Sequence, residues 1–367
     1  MRRTLFTAFP LVAIAFTSAA TAQPVSSNSP DARPPAFRAP SNQRPPRAAP
    51  DMQAVLDAHA RLGARAIHLG TPNQVRAGPT PTDAVKAVMA ARGMSTAPDP
   101  SVVTQELSYG RDAWQKARIY RPAGPARGSR PLIVYYHGGG WVIADLDVYD
   151  SAPRMLAKQL GAVVVSVEYR HAPEYKFPAQ HDDAVNAYRW VLSNARAWGG
   201  DVNRMAFAGE SAGGNLAIST AIAARNNRLP MPRHILSAYP IADSNPTLRS
   251  RIVNANARPL ATPDLQWFAH YFSRRRSDVQ DPRINLVRAD LRGLPPVTIV
   301  NAEIDPLLSD GLNLTMALRR AGVPVVQRTY PGVTHEFFGM GSVVRGAMQA
   351  NNWAVSRLRP ALSRRGR

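Results

Sequence analysis

Met205-Ala206-Phe207-Ala208-Gly209-Glu210-Ser211-Ala212-Gly213-Gly214 decides the fold. An apolar strand at 205–208 runs into a G-x-S-x-G turn, and the small residues of 211–225 then predict a helix. Glycines at both ends let the backbone close tightly, so that the Ser211 hydroxyl projects above the end of a sheet. The five-residue pattern alone is weak, because glycine and serine are common. Its strand-turn-helix setting gives it weight.

A second apolar strand, 132–136, leads directly into His137-Gly138-Gly139-Gly140-Trp141. A glycine run there lets backbone N–H groups turn toward an incoming carbonyl oxygen. It lacks the spaced glycines of a dinucleotide site and the Gly-Lys-Ser/Thr ending of a phosphate loop, which argues against a nucleotide. Further outward, strands are expected at 162–169, 235–239, 297–301 and 325–330, and helices near 181–197, 309–321 and 342–358. Continuous apolar strands separated by helices predict an α/β fold with a mostly parallel sheet covered on both faces. Short β-like runs lie between Thr104 and Tyr120. The interval 243–292 breaks the alternation around a helical stretch at 263–272 and reads as an insertion. Two helical patterns precede the sheet. One starts at Asp51 as N-cap with Met52, Val55, Leu56 and Leu62 on one face; the other follows Pro81-Thr82-Asp83 with Val85, Val88 and Met89.

A hydroxyl nucleophile needs a base, and the base needs a carboxylate to hold its tautomer. Asp305 lies just beyond the strand 297–301, and His335 beyond 325–330. The order Ser211, Asp305, His335 is that of an α/β-hydrolase, with each member past the C-terminal end of a strand, where open α/β sheets bind ligands. Asp310 is the alternative acid. His59, His68, His181 and His234 read as structural or exposed, His171 and His270 as able to approach the pocket, and His137 as a brace for the glycine loop. No histidine pair has zincin spacing and no acidic cluster resembles a cation loop, so no metal and no cofactor are expected.

Composition narrows the chemistry. The 367 residues are 45% hydrophobic and 19% charged, enough for a sizeable core. Cysteine is absent, which removes disulfides, thiolate nucleophiles and Cys-ligated metals. Of 45 basic residues only Lys86, Lys116, Lys158 and Lys176 are lysines, so the net charge of +20 is an arginine charge. The arginines are spread along the chain and belong to no nucleic-acid motif, which supports nonspecific binding at most. Residues 1–22 read as a signal peptide: Arg2 and Arg3, an apolar run at 5–16 shorter than the roughly 20 residues of a membrane span, then Ala20-Thr21-Ala22 as a cleavage site. Export to the periplasm or medium is expected. Residues 23–50, rich in Pro, Ala and Arg, read as a linker, and 51–367 as the folded domain.

With these motifs the chain resembles the bacterial hormone-sensitive-lipase-like esterases of the α/β-hydrolase superfamily. The resemblance also includes Asp145-Leu146-Asp147, Glu168-Tyr169-Arg170, Ala172-Pro173-Glu174, Phe177-Pro178-Ala179 and Asp305-Pro306-Leu307. It implies a helical cap from about 51–100 and 243–292, and a triad of Ser211, His335 and Asp305. It further implies an oxyanion hole from Gly139, Gly140 and Ala212 with Gly138 shaping the loop, and Trp141 as a substrate contact. Glu210 stands where the family often has Asp. Glu168, Arg170 and Glu174 read as structural ion-pair residues first. The implied activity is hydrolysis of short- to medium-chain carboxylic esters through an acyl-enzyme. An amide or peptide hydrolase on the same machinery, or a non-catalytic binder, are the alternatives. Arg274-Arg275-Arg276 in the insertion reads as a solvated face of the cap in preference to the lining of a pocket entrance.

Overall fold

The computed structural model describes residues 46–126 and 128–363. The expected signal peptide and nearly all of the linker lie outside the described residues. Eight strands form the sheet: β1 (Val102–Ser108), β2 (Lys116–Pro122), β3 (Arg130–Tyr136), β4 (Val163–Val167), β5 (Gly200–Glu210), β6 (His234–Ala238), β7 (Val297–Ile304) and β8 (Val325–Thr334). Their order is β1-β2-β4-β3-β5-β6-β7-β8. β1 and β2 are antiparallel to each other, β2 is antiparallel to β4, and the remaining neighbours are parallel.

Side-chain alternation explains why the central strands are largely apolar on both faces. Leu132, Val134 and Tyr136 pair in register with Val163, Val165 and Val167 on one side, and Leu132 and Val134 with Met205 and Phe207 on the other. All eight point into one core, whereas Ile133, Tyr135, Val164, Ala206 and Ala208 point into a second core on the opposite face. A strand buried on both faces leaves little room for polar residues, and the few present, such as Ser166, Ser237 and Thr298, are small and fully buried.

Helices α1 (Pro50–Arg61), α2 (Pro72–Arg76) and α3 (Pro81–Ala91) precede the sheet. They are followed by α4 (Ser151–Leu160), α5 (Ala179–Asn194), α6 (Ala212–Asn226), α7 (Arg249–Val253), α8 (Thr262–Phe272), α9 (Leu308–Arg320) and α10 (Arg345–Leu362). Buried residues of α5, α6 and α9 join the first core, and those of α1, α3, α4 and α10 join the second. Among the described residues no helix is long and apolar enough to cross a membrane.

Asp51 is not the N-cap expected of it. Ala49 occupies that position with Pro50 opening α1, where a missing N–H costs nothing, and the Asp51 carboxylate instead accepts the Arg345 amide at 2.7 Å at the start of α10. α3 does start as its sequence suggests, through a reciprocal capping box between Thr80 and Asp83. α4 was not expected; it tolerates Pro153 because that residue sits in the first turn, and it ends on Gly161 at φ 64°.

The N-terminal segment and the insertion are joined to each other. His68 donates from both its backbone amide and Nδ1 to the buried Asp264 Oδ1 of α8, at 2.9 and 2.6 Å, and the Trp267 indole donates to the Gly70 carbonyl at 2.8 Å. Arg76 pairs with Glu174 at 2.7 and 2.8 Å and donates to the carbonyls of Val142 and Ala172. A cation with both ends satisfied in this way ties α2 to the sheet domain.

Candidate active site

Ser211 sits between β5 and α6 at φ 56° and ψ −119°, a strained left-handed turn. The turn closes only because its flanks lack side chains. A Cβ on Gly209 would lie 2.1 Å from the Gly213 carbonyl oxygen, and one on Gly213 1.9 Å from that of Tyr136. His335 follows β8 and Asp305 follows β7. His335 Nε2 is 3.0 Å from Ser211 Oγ, and His335 Nδ1 is 2.7 Å from Asp305 Oδ2. A carboxylate only accepts, so Nδ1 carries the hydrogen and Nε2 is free to take the serine proton. Asp305 is itself fixed by the Leu307 amide at 2.8 Å. Burial lowers the His335 pKa, but the charge and hydrogen bond of Asp305, helped by Glu336 and Glu210, outweigh it and hold the imidazole above its ordinary value.

Asp310, the alternative acid, is elsewhere. It is buried against Arg251 of α7 at 3.0 Å and accepts the Ala242 and Asp243 amides, fastening the insertion to α9.

The glycine loop stands next to Ser211. Gly139 and Gly140 have φ 91° and 58°, and a Cβ on Gly140 would strike the Phe268 ring at 2.2 Å. Both line a cavity of about 530 Å³ with Ser211, His335 and His171, walled by residues of the N-terminal segment and by Leu260, Leu265 and Phe268 of the insertion. Ala212 opens α6, where a backbone amide has no intrahelical acceptor. Gly138 is turned away: its carbonyl accepts from the Tyr169 hydroxyl at 3.0 Å, and the Tyr149 hydroxyl occupies the space where its side chain would be. Trp141 is not a lining residue of this cavity. At φ 63° its indole stacks on Phe272 at 4.3 Å in the core, because the loop reverses immediately before it.

His137 braces the loop as anticipated in its strand-end position, with Nδ1 2.8 Å from the Gly138 carbonyl and Nε2 3.1 Å from Glu168 Oε1. His171 Nε2 lies 3.0 Å from the same oxygen. His137, Glu168 and His171 are the group with a metal-like donor set among the described residues. Oε1 already lies at hydrogen-bonding range of both imidazoles, and Oε2 accepts the Leu146 amide at 3.2 Å, so the arrangement is that of an ion-pair brace. Arg170 pairs with the buried Asp183 at 2.7 Å, and Glu174 with Arg76. His59, His181 and His234 bond to the Pro79 carbonyl, Asn215 and Thr298 respectively. Arg274 to Arg276 are exposed, as a solvated face of the cap requires; they lie beyond the end of α8, and Arg274 and Arg275 both pair with Asp278 at 3.3 Å.

Sequence reading passed over four residues here, Tyr135, Tyr149, Tyr239 and Glu336. Tyr135 and Tyr239 both donate short hydrogen bonds to Glu210, which burial and the nearby Glu336 push up to about 7 against those bonds. Glu336 adopts φ 70° directly after His335, and its Oε1 accepts the Tyr149 hydroxyl at 2.6 Å. A carboxylate adjacent in sequence to the candidate base was the available signal for it.

Residues 133–339 match a family described by its alpha/beta hydrolase fold. The carboxylesterase NlhH of Mycobacterium tuberculosis is 36% identical over 292 residues, 77% of this chain and 91% of that protein. An ethyl acetate hydrolase of Pseudomonas putida is 36% identical over 235 residues, 63% of this chain and 73% of its own length. Among solved structures, a thermostable esterase from Pseudomonas putida aligns with a TM-score of 0.78 at 28% identity, covering 87% of this chain and 99% of that one. The chain belongs to the α/β-hydrolase family, in its hormone-sensitive-lipase-like branch. It is a carboxylic ester hydrolase.

Proposed function

We propose that this ester hydrolase acts on esters of short to medium acyl chains by two-step acyl transfer. His335 takes the Ser211 proton, Oγ attacks the ester carbonyl, and the oxyanion is met by the amides of Gly139, Gly140 and Ala212. The alcohol leaves with the proton from His335, and water repeats the sequence on the acyl-enzyme. The observation that carries this reading is the unbroken chain from Ser211 Oγ through His335 to Asp305, with contacts of 3.0 and 2.7 Å, on the wall of a cavity of about 530 Å³. That volume lies in the range of small-molecule sites and must hold both acyl and alcohol parts. The test is a panel of aryl esters from about two to sixteen acyl carbons beside matched amides, a span that brackets drug-sized ligands. Maximal kcat/KM below about eight carbons with amides far slower is expected on that volume; a maximum among the longest chains, or amides cleaved as fast as esters, would overturn the reading.

The pH dependence follows from the sign of the His335 shift. The base works only when neutral, so kcat/KM rises with pH through the folded-state pKa and is lost as pH falls below it. Because that pKa is held above the ordinary imidazole value of 6.5, the acid limb should lie above about 6.5. A rate flat between about pH 5 and 8 would exclude His335 as the base.

A further inference from the structure

A second cavity, of about 940 Å³, lies behind Tyr149 and reaches Glu106, Asp150 and Glu210. Pro81, Val148, Tyr149 and Glu336 line both cavities and form the wall between them. Glu336 therefore faces the reaction site on one side and, on the other, a space whose lining includes the exposed Asp147 and Lys158. Its Oε1 is 3.7 Å from His335 Nε2, beyond hydrogen-bonding reach yet a span that one water bridges with about 2.8 Å to each atom. The same Nε2 is 3.0 Å from Ser211 Oγ, so a molecule on this bridge is beside the acylated oxygen. The carboxylate cannot swing freely, being held by the Tyr149 hydroxyl at 2.6 Å, and that hydroxyl is lodged against Gly138.

We propose that Glu336, held by Tyr149, positions the hydrolytic water for the deacylation step, with the second cavity as the water's source. The proposal rests on the acyl-enzyme reading above. In that step the water oxygen bonds to the acyl carbonyl carbon while one water proton passes to His335 Nε2. The second O–H remains intact and donates to Glu336 Oε1. Collapse of the tetrahedral intermediate breaks the carbon bond to Ser211 Oγ, which recovers the proton from the imidazolium, and the carboxylic acid departs. An alcohol nucleophile has a single O–H, which His335 takes, so Glu336 has nothing to receive from it. Glu336 therefore distinguishes water from alcohols.

The charged and titratable groups facing Glu336 are His335 on its own segment, Tyr149 before α4, Glu210 at the end of β5, Asp305 beyond β7 and His137 beyond β3. A general electrostatic role through these groups would slow acylation and deacylation alike. A positioning role would change only the choice of nucleophile. The experiment is p-nitrophenyl acetate turnover in water and in water with added methanol, quantifying acetate and methyl acetate, together with the fraction of Ser211 found acetylated after acid quench. In Glu336→Ala the methyl acetate to acetate ratio should rise about tenfold, the scale of one hydrogen bond to a charged group, and acetylated Ser211 should accumulate. Glu336→Gln keeps an acceptor oxygen and the side-chain volume, and should fall between wild type and Glu336→Ala; Tyr149→Phe should shift the ratio in the same direction. An unchanged ratio in Glu336→Ala and Glu336→Gln, whatever the loss of total rate, overturns the proposal. If wild-type enzyme never yields acetylated Ser211, the acyl-enzyme reading itself falls, and this one with it.

Discussion

Ser211→Ala is expected to lower kcat for ester hydrolysis by about a millionfold, the scale on which triad enzymes lose their nucleophile. The stability cost should be small. Among the described residues the Ser211 hydroxyl bonds to His335 Nε2, alanine accepts the same backbone angles as serine, and the tight contacts that close the turn belong to Gly209 and Gly213. A denaturant midpoint within about 1 kcal/mol of wild type is therefore expected beside the collapse in rate. Both are read from one preparation, by steady-state assay and urea titration. A serine-directed organophosphonate should label wild-type protein at the Ser211 peptide and leave the variant unlabelled. Label elsewhere, or residual rates near wild type, would remove Ser211 from the reaction.

The second large effect separates two buried aspartates. Asp305→Asn keeps its shape but offers His335 Nδ1 an amide that can favour the wrong tautomer, and kcat should fall about ten-thousandfold. Asp310→Asn does something different. It removes the counter-charge of Arg251, which is almost completely buried, and breaking such a pair costs about 3 kcal/mol of stability. Its kcat should remain within about tenfold of wild type wherever the protein is folded, since nothing on Asp310 touches His335. The two variants should thus exchange phenotypes between a rate assay and an unfolding curve. Greater loss of kcat in Asp310→Asn would place the acid of the site on the wrong residue.

Much of the sheet could be read in advance because β3 to β7 are buried on both faces, and apolar runs of that kind leave few alternatives. The same logic failed where a partner supplies what a periodicity cannot reveal. α4 was hidden by Pro153, harmless in a first turn but a breaker by rule. Asp51 looked like a cap because its type suits one, yet its partner is an amide 294 positions away. Ser211, Asp305 and His335 each stand at a strand end, and strand ends are visible in sequence. Trp141 was expected in the pocket through its place in the motif, whereas the reversal at Gly139 and Gly140 sends its ring into the core. Tyr149 and Glu336 were missed because they are distant in sequence, and only the folded chain puts the hydroxyl on the carboxylate.

The bonds that join His68 to Asp264 and Gly70 to Trp267 also bear on inheritance. Their partners lie 196 and 197 positions apart in the chain, and the His68–Asp264 pair is a fitting between two side chains, in which changing one leaves the other without its partner. Recombination between related esterases with one crossover in the sheet region would separate them, leaving the aspartate of one parent buried opposite whatever the other parent carries. The two segments that wall the cavity beside Ser211 are therefore physically coupled, and chimeras made for new specificity should move both segments together or neither.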